Sequence, residues 1–372
     1  MINAFNKERK ARGDVLLLIL VVLLTVIGTI FIYSASSYSA KSTYKDEFYF
    51  VKKQVIGIVI GLIVMLVVSR IDYQKLQKLA LVFSILSVVL LAVLFVPGVG
   101  VENYGATRWI SLGLFTFQPS ELAKFSLILF SATYVSNRPQ KITTFLGILP
   151  VLIYGAMLCV LIMLEPNMSI TVCVALIMLT MLFVGGVKIK HLLMIILPLV
   201  FLLVLLILIE PYRLKRLLAF INPWSNPKGE GYQLLQSLYA LGSGGLFGVG
   251  LFNSRQKYSF LPFAESDFIL SVIGEEIGFF GLFLFFFLLF LIIIKGLIIA
   301  SKAKDVFGFM LSIGISMIFG IQVLVNALVV TGSIPPTGLS LPLVSSGNTS
   351  IIVFMAEMGV LVNVSKSRTL TF

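Results

Sequence analysis

Asp267 stands directly before a long apolar run, two residues after Glu265, and two further acids, Glu275 and Glu276, fall inside that run. A carboxylate held against an apolar wall has its pKa pushed toward neutrality, where it can remove a proton from a hydroxyl. The same position also suits a helix cap, in which the acid accepts backbone N–H bonds at the start of a span. Spacing leaves both roles open and does not choose between Asp267 and Glu265. Adjacent acids within a membrane span are harder to place structurally, since one must point away from lipid or hold a proton. Glu275 and Glu276 are therefore read as lining an internal polar cavity.

Cations gather upstream of these acids. Arg213, Lys215 and Arg216 follow Glu210 at the edge of one apolar run, and Arg255 and Lys257 lie in the polar stretch before Asp267. Basic groups at such edges can simply anchor the protein at the interface. A guanidinium also fits a phosphate bidentately. The same stretch offers Gln233 and Ser237 as polar contacts, and Gly242, Gly244, Gly245, Gly248 and Gly250 could bend backbone toward a phosphate or form a re-entrant loop. Lys124 lies one turn into another apolar run, after Gln118-Pro119-Ser120-Glu121. It could pair with Glu121 or serve a substrate, because an ionisable group at that depth is costly. Arg108, beside Trp109, suits an interfacial anchor and a substrate contact equally. A basic cluster, bending glycines and a lone acid beside a membrane suggest a site for an anionic, lipid-linked substrate.

The elements that must hold these residues are membrane helices. Of 372 residues, 59% are hydrophobic and 12% charged, far from the globular average. Runs near the twenty-residue bilayer requirement fall at about 14–34, 53–69, 78–96, 119–135, 144–164, 168–186, 191–209, 268–299, 306–331 and 347–364, which makes about ten spans. The run at 268–299 exceeds one bilayer thickness and must tilt or project. The expected fold is all-α: one polytopic membrane domain over residues 1–372, with a large extracytoplasmic loop at 210–267 before the eighth span. The first run carries no small-residue cleavage signal and reads as a retained helix.

The net charge of +12 could suggest nucleic acid, but the cations lie in short connections between spans. One set holds Lys7, Arg9, Lys10 and Arg12, then Arg70, Lys75 and Lys78, Arg138 and Lys141, Lys188 and Lys190, Lys302 and Lys304, and Lys366 and Arg368. The positive-inside rule makes this set, and both termini, cytoplasmic. Residues 97–118, 165–167, 210–267 and 332–346 then face outside, where no ATP is at hand, and the chain has no G-x-x-x-x-G-K-[ST] loop. A substrate there must arrive already activated. Pro335-Pro336-Thr337-Gly338 and Ser345-Ser346-Gly347 read as irregular backbone closing the external cavity. One histidine, His191, and two cysteines in apolar runs, Cys159 and Cys173, argue against a histidine metal site, a catalytic triad or a disulfide.

Across nearly its whole length the chain resembles the SEDS family, which builds bacterial peptidoglycan. The resemblance rests on Tyr33-Ser34-Ala35-Ser36, on Arg108-Trp109-Ile110 with Gln118-Pro119-Ser120-Glu121-Leu122-Ala123-Lys124, and on Pro211-Tyr212-Arg213 with Asn222-Pro223-Trp224. Gly231-Tyr232-Gln233, Gln236-Ser237-Leu238-Tyr239-Ala240, Ser254-Arg255-Gln256-Lys257, Leu261-Pro262, Asp267-Phe268-Ile269 and Glu275-Glu276-Ile277-Gly278 add to it, as do Asn326 and Thr331-Gly332 through Gly338. The Asn222-Pro223-Trp224 and Ser254-Arg255-Gln256-Lys257 segments look more like the division and sporulation branches than the elongation branch. Three segments depart from the family's usual wording. Glu165-Pro166-Asn167-Met168-Ser169-Ile170 replaces Gln-Pro-Asp-Leu-Gly-Thr, Phe263 replaces a glutamate, and Ser345-Ser346-Gly347-Asn348-Thr349 replaces Ser-Tyr-Gly-Gly-Ser.

The resemblance implies a ten-span polymerase of the bacterial plasma membrane that builds glycan strands from lipid II, the undecaprenyl pyrophosphate-linked disaccharide pentapeptide. It implies that Asp267 is the essential acid, with Lys124 near it. It implies a class B penicillin-binding protein as cross-linking partner, together with other division or sporulation proteins, and it associates the activity with a divalent cation, Mg or Mn, but no nucleotide. Asp267 would take the proton from the acceptor 4-hydroxyl while pyrophosphate leaves the donor, helped by Arg213, Arg216, Lys124 or the metal ion. Two alternatives stay open: a flippase that only changes the sidedness of lipid II, and a weakly catalytic scaffold that activates the transpeptidase.

Overall fold

The structure is a computed structural model and describes residues 13–103, 106–111, 113 and 116–367. Lys7, Arg9, Lys10, Arg12 and Arg368 of the positive-inside pattern lie outside the described residues. Twelve helices of eight or more residues are described: α1 (Val15–Tyr44), α2 (Tyr49–Arg70), α3 (Gln74–Val93), α4 (Pro119–Asn137), α5 (Phe145–Leu164), α6 (Met168–Val184), α7 (Ile189–Ile209), α8 (Pro211–Ile221), α9 (Tyr232–Gly244), α10 (Ile269–Ser301), α11 (Val306–Val330) and α12 (Asn348–Lys366). Among the described residues eight of these, α1, α2, α3, α5, α7, α10, α11 and α12, are long and apolar enough to cross a bilayer. The other two expected spans form α6, only 17 residues long, and α4, which carries Glu121 and Lys124 among its buried residues.

Two expected loops prove to be structured. Residues 97–118 hold an antiparallel three-stranded sheet of β1 (Gly100–Asn103), β2 (Ala106–Ser111) and β3 (Thr116–Phe117), in which Val101 pairs with Trp109 and Ile110 with Phe117. β-branched and aromatic residues recur at these paired positions, as strands favour. The stretch 210–267 folds its first part into α8, a 3-10 turn at Pro223–Ser225 and α9.

The core lies between α2 and α12 and among α4, α6, α10 and α11. Gly359 of α12 is pressed so closely on α2 that a Cβ there would stand 2.6 Å from the Met65 carbonyl oxygen. Small residues permit such approach where lipid supplies no hydrophobic drive between helices. Within α4, Lys124 Nζ lies 2.7 Å from Glu121 Oε1, both side chains almost wholly buried. The ammonium also sits 5.7 Å from the Phe354 ring centroid of α12, so the pairing allowed by the sequence is the one that forms.

The long run at 268–299 neither tilts nor projects as one rod. α10 breaks at Gly278, whose φ of 65° and ψ of −168° are not helical. A break strands backbone groups that must find other partners in a membrane. Residues 245–250 supply them: Val249 N and Gly250 N each donate to the Glu275 and Glu276 carbonyls, respectively, at 3.0 Å, while Phe279 N and Phe280 N donate to the Gly245 and Leu246 carbonyls at 2.9 and 3.1 Å. A Cβ on Gly278 would overlap the Gly248 nitrogen. The glycine-rich stretch thus mends a broken helix.

Candidate functional site

Asp267 lies in a turn in which Ser266 N and Phe268 N both donate to the Phe263 carbonyl, at 3.1 and 3.3 Å. The residue that caps α10 is Phe268, and no side chain accepts the first free N–H groups of the helix. The helix-cap role is therefore not the one Asp267 performs. Its main chain is clamped instead: Asn326 Nδ2 on α11 donates to the Asp267 carbonyl at 2.9 Å and to the Leu339 carbonyl at 2.8 Å. Ser346 N donates to the Glu265 carbonyl at 2.9 Å, and Ser345 Oγ to the Ser266 carbonyl at 2.6 Å. The irregular 331–347 segment is so fastened over the turn that a Cβ on Gly338 would stand 3.4 Å from Asp267 Oδ2. Gly338 N in turn donates to Ser169 Oγ at 3.2 Å.

The charges around this partly buried carboxyl decide its behaviour. Burial, reinforced by the negative charge of Glu265, pushes Asp267 up to about 7, against the opposing pull of Arg108 and Arg216. Burial also raises Glu265. A carboxyl poised near neutrality beside two guanidinium groups can accept a proton while an anion is held next to it.

Arg108 projects from β2, where its Nε donates to the Glu165 carbonyl at 3.2 Å and an Nη to the Pro166 carbonyl. The Glu165 side chain is 1% exposed, and neither carboxyl oxygen has a hydrogen-bond partner. Burial raises it to about 8, with Arg108 opposing.

The other predicted residues fall in several places. Arg216 lies 4.0 Å from Glu230 and within the electrostatic reach of Asp267. Arg213 turns toward the outer ends of α7 and α5, donating to the Leu206 carbonyl at 3.2 Å and reaching Met163 Sδ at 3.6 Å. Gln233 Nε2 braces the turn by donating to the Pro262 carbonyl at 3.4 Å. Ser237 is wholly buried where α9, α10 and α11 meet, bonded to Ser271 Oγ at 2.8 Å and donating to the Val330 carbonyl at 2.7 Å. Lys257 is buried and its Nζ donates to the Phe252 carbonyl, whereas Arg255 is exposed. Lys124 is held in its ion pair with Glu121.

Glu275 and Glu276 find partners within the protein. Glu275 accepts from Ser254 Oγ, from Ser243 Oγ at 3.2 Å, from Arg255 N at 3.0 Å and from Gln256 N at 3.4 Å. Glu276 accepts from Ser34 Oγ and from Ser254 N at 3.3 Å. Both acids organise loop 254–257 and tie it to α1, and one carboxyl oxygen of Glu276 is left buried without a hydrogen-bond partner. Sequence reasoning gave no role to Glu165 or Ser169. An acid before a proline at the end of an apolar run was the available signal for Glu165.

Among the described residues no three His, Cys, Asp or Glu side chains converge as metal ligands.

A family model described as cell cycle protein, covering FtsW, RodA and SpoVE, matches residues 14–370. The chain belongs to the FtsW/RodA/SpoVE family. One relative, named a probable peptidoglycan glycosyltransferase FtsW, from Trichlorobacter lovleyi, is 40% identical over 96% of this chain and 94% of its own length. Stage V sporulation protein E of Bacillus subtilis is 39% identical over 96% of this chain and 98% of its own. Among solved structures, a chain from work titled as structural coordination of polymerization and crosslinking by a peptidoglycan synthase complex superposes with a TM-score of 0.80 at 28% identity, over 96% of this chain and 99% of that one. The rod shape determining protein RodA of Thermus thermophilus gives 0.71 at 26% identity, over 96% of this chain and 98% of its own. With its apolar helices, this FtsW/RodA/SpoVE member is a multi-pass membrane protein.

Proposed function

We propose that this protein is a peptidoglycan glycosyltransferase that polymerises lipid II outside the plasma membrane, in cell division or sporulation, with both termini cytoplasmic. The observation that carries the reading is the Asp267 carboxyl: not used as a helix cap, partly buried, poised at about 7 and within the field of Arg108 and Arg216. The names of its relatives, FtsW and Stage V sporulation protein E, agree with it.

In this mechanism the diphosphate of the donor lies in the field of Arg108 and Arg216, which stabilise charge as it develops on the leaving group. Asp267 takes the proton of the acceptor N-acetylglucosamine 4-hydroxyl as that oxygen attacks the anomeric carbon of the donor N-acetylmuramic acid. The bond to the diphosphate breaks with its electron pair, so a single displacement inverts the anomeric centre. The Asn326 clamp fixes the turn that aims the base. A divalent cation, Mg or Mn, would add to the stabilisation of the leaving group by neutralising charge on the diphosphate. A class B penicillin-binding protein is the partner that would cross-link the strands, and the structural likeness to a chain of a peptidoglycan synthase complex supports it.

The test is lipid II polymerisation by purified protein in vesicles that present substrate on the outer face, with and without the transpeptidase. Glycan strands should form with wild-type protein and not with Asp267→Asn. Movement of lipid II between leaflets without strands would instead establish a flippase. Full function of Asp267→Asn in cells would establish a scaffold.

A further inference from the structure

Glu165 is a buried acid with no evident structural use. It stands at the outer end of α5, and both carboxyl oxygens are sealed from solvent without a hydrogen-bond partner. Buried polar groups nearly always find a partner, so an exception asks for a reason. Its main-chain carbonyl and that of Pro166 hold the Arg108 guanidinium, and the charge of Arg108 acts on both Glu165 and Asp267. Arg213 also comes near this end of α5, reaching Met163 from α8, and Asp267 approaches it across Gly338, whose N donates to Ser169 Oγ.

We propose that Glu165 is a positioning residue that works as the neutral acid, keeping Arg108 on its two backbone carbonyls with its positive charge directed at the diphosphate of the donor. Ionisation puts a negative charge beside Arg108, draws the guanidinium toward an ion pair and cancels the field that the diphosphate meets. The proton it holds comes from solvent and returns there, so no bond of the substrate is involved. Its ionisation near 8 places this change at the alkaline edge of the working range. The inference rests on the glycosyltransferase reading for its substrate, but the geometry that supports it is that of Arg108 alone.

The experiment compares wild type with Glu165→Gln, which keeps the shape of the neutral acid, and Glu165→Ala, which removes it; neither variant can ionise. Affinity for a fluorescent polyprenyl diphosphate is measured in detergent between pH 6.5 and 9.5, alongside lipid II polymerisation. Wild-type affinity should weaken about tenfold across pH 8, as expected for one added charge at partly screened range. Glu165→Gln and Glu165→Ala, which cannot ionise, should both lack the loss centred on pH 8, while any change near pH 7, where Asp267 ionises, should be common to all three proteins. An alkaline loss in Glu165→Gln equal to that of wild type would overturn the proposal, as would a Glu165→Gln protein that binds more weakly than wild type at pH 7. If the diphosphate binds with the expected pH dependence but no strands form, the glycosyltransferase reading fails and the role of Glu165 stands.

Discussion

Replacing Asp267 with Asn should remove activity and stabilise the protein in the same stroke. The native carboxyl ionises at about 7 rather than at its ordinary 3.8, a shift of about three units, or about 4 kcal/mol at 1.36 kcal/mol per unit. Because the folded pKa is the higher one, the native state holds its proton more tightly. The associated stability is fully present below the unfolded value of 3.8 and is lost progressively as pH rises to about 7. Partial solvent access reduces the figure to about 2–3 kcal/mol. Asn keeps the shape and carries no charge, so Asp267→Asn should unfold several degrees higher than wild type at pH 8, with the gain vanishing near pH 4. Cys159 and Cys173 are both free, and labelling them with a thiol-reactive dye during a thermal ramp would report the midpoint. Polymerisation should fall by about 10²-fold or more, as for a lost general base. A mutant less stable than wild type at both pH values, yet still polymerising, would mean that Asp267 is a structural cap and that the site lies elsewhere.

Polymerisation by wild-type protein should rise with pH through about 7 as Asp267 loses its proton and decline above about 8 as Glu165 ionises, a bell read from initial rates. Lys124→Ala strands the buried Glu121 carboxylate and should cost about 3–5 kcal/mol, seen as lost monodisperse protein on size exclusion; adding Glu121→Gln should recover most of it. Gly278→Ala forces a side chain into a positive-φ position against Gly248 and should abolish folded yield, whereas Gly320→Ala, in the middle of α11 with no atom nearer than 3.5 Å, should be expressed normally. Asn326→Ala removes two hydrogen bonds to buried backbone, at about 1–3 kcal/mol, and should lower the polymerisation rate more than the unfolding midpoint.

The helices were legible because apolar runs of bilayer length are a local signal, and Glu121 with Lys124 was legible because helical spacing brings them together. Asp267 could be found by its position but not assigned, since cap and base look alike until the N-terminus of α10 is seen to lack a side-chain cap. The break at Gly278 was hidden because it depends on residues 245–250, which pair with it from some thirty positions away. The partners of Glu275 and Glu276 were hidden for the same reason: their donors are backbone groups of 254–256 and the hydroxyls of Ser34, Ser243 and Ser254. The sheet at 100–117 went unnoticed because strands of two to six residues carry too few alternations to show a period. Glu165 stood out only as a departure in wording, and its burial and idle oxygens are properties of the folded chain.

The break in α10 also sets the dimension in which this protein meets its substrate. The part after Gly278, residues 279–301, runs about 34 Å at 1.5 Å per residue, enough to cross the hydrocarbon by itself. On the proposed glycosyltransferase reading, the short part that follows Asp267 would then lie toward the headgroups, where a lipid-anchored donor would reach the carboxyl without withdrawing its tail from the leaflet. Encounter then becomes a lateral search on a surface. The turnover rate of the vesicle-bound protein should follow the mole fraction of substrate in the bilayer, and diluting the vesicles in buffer should leave it unchanged.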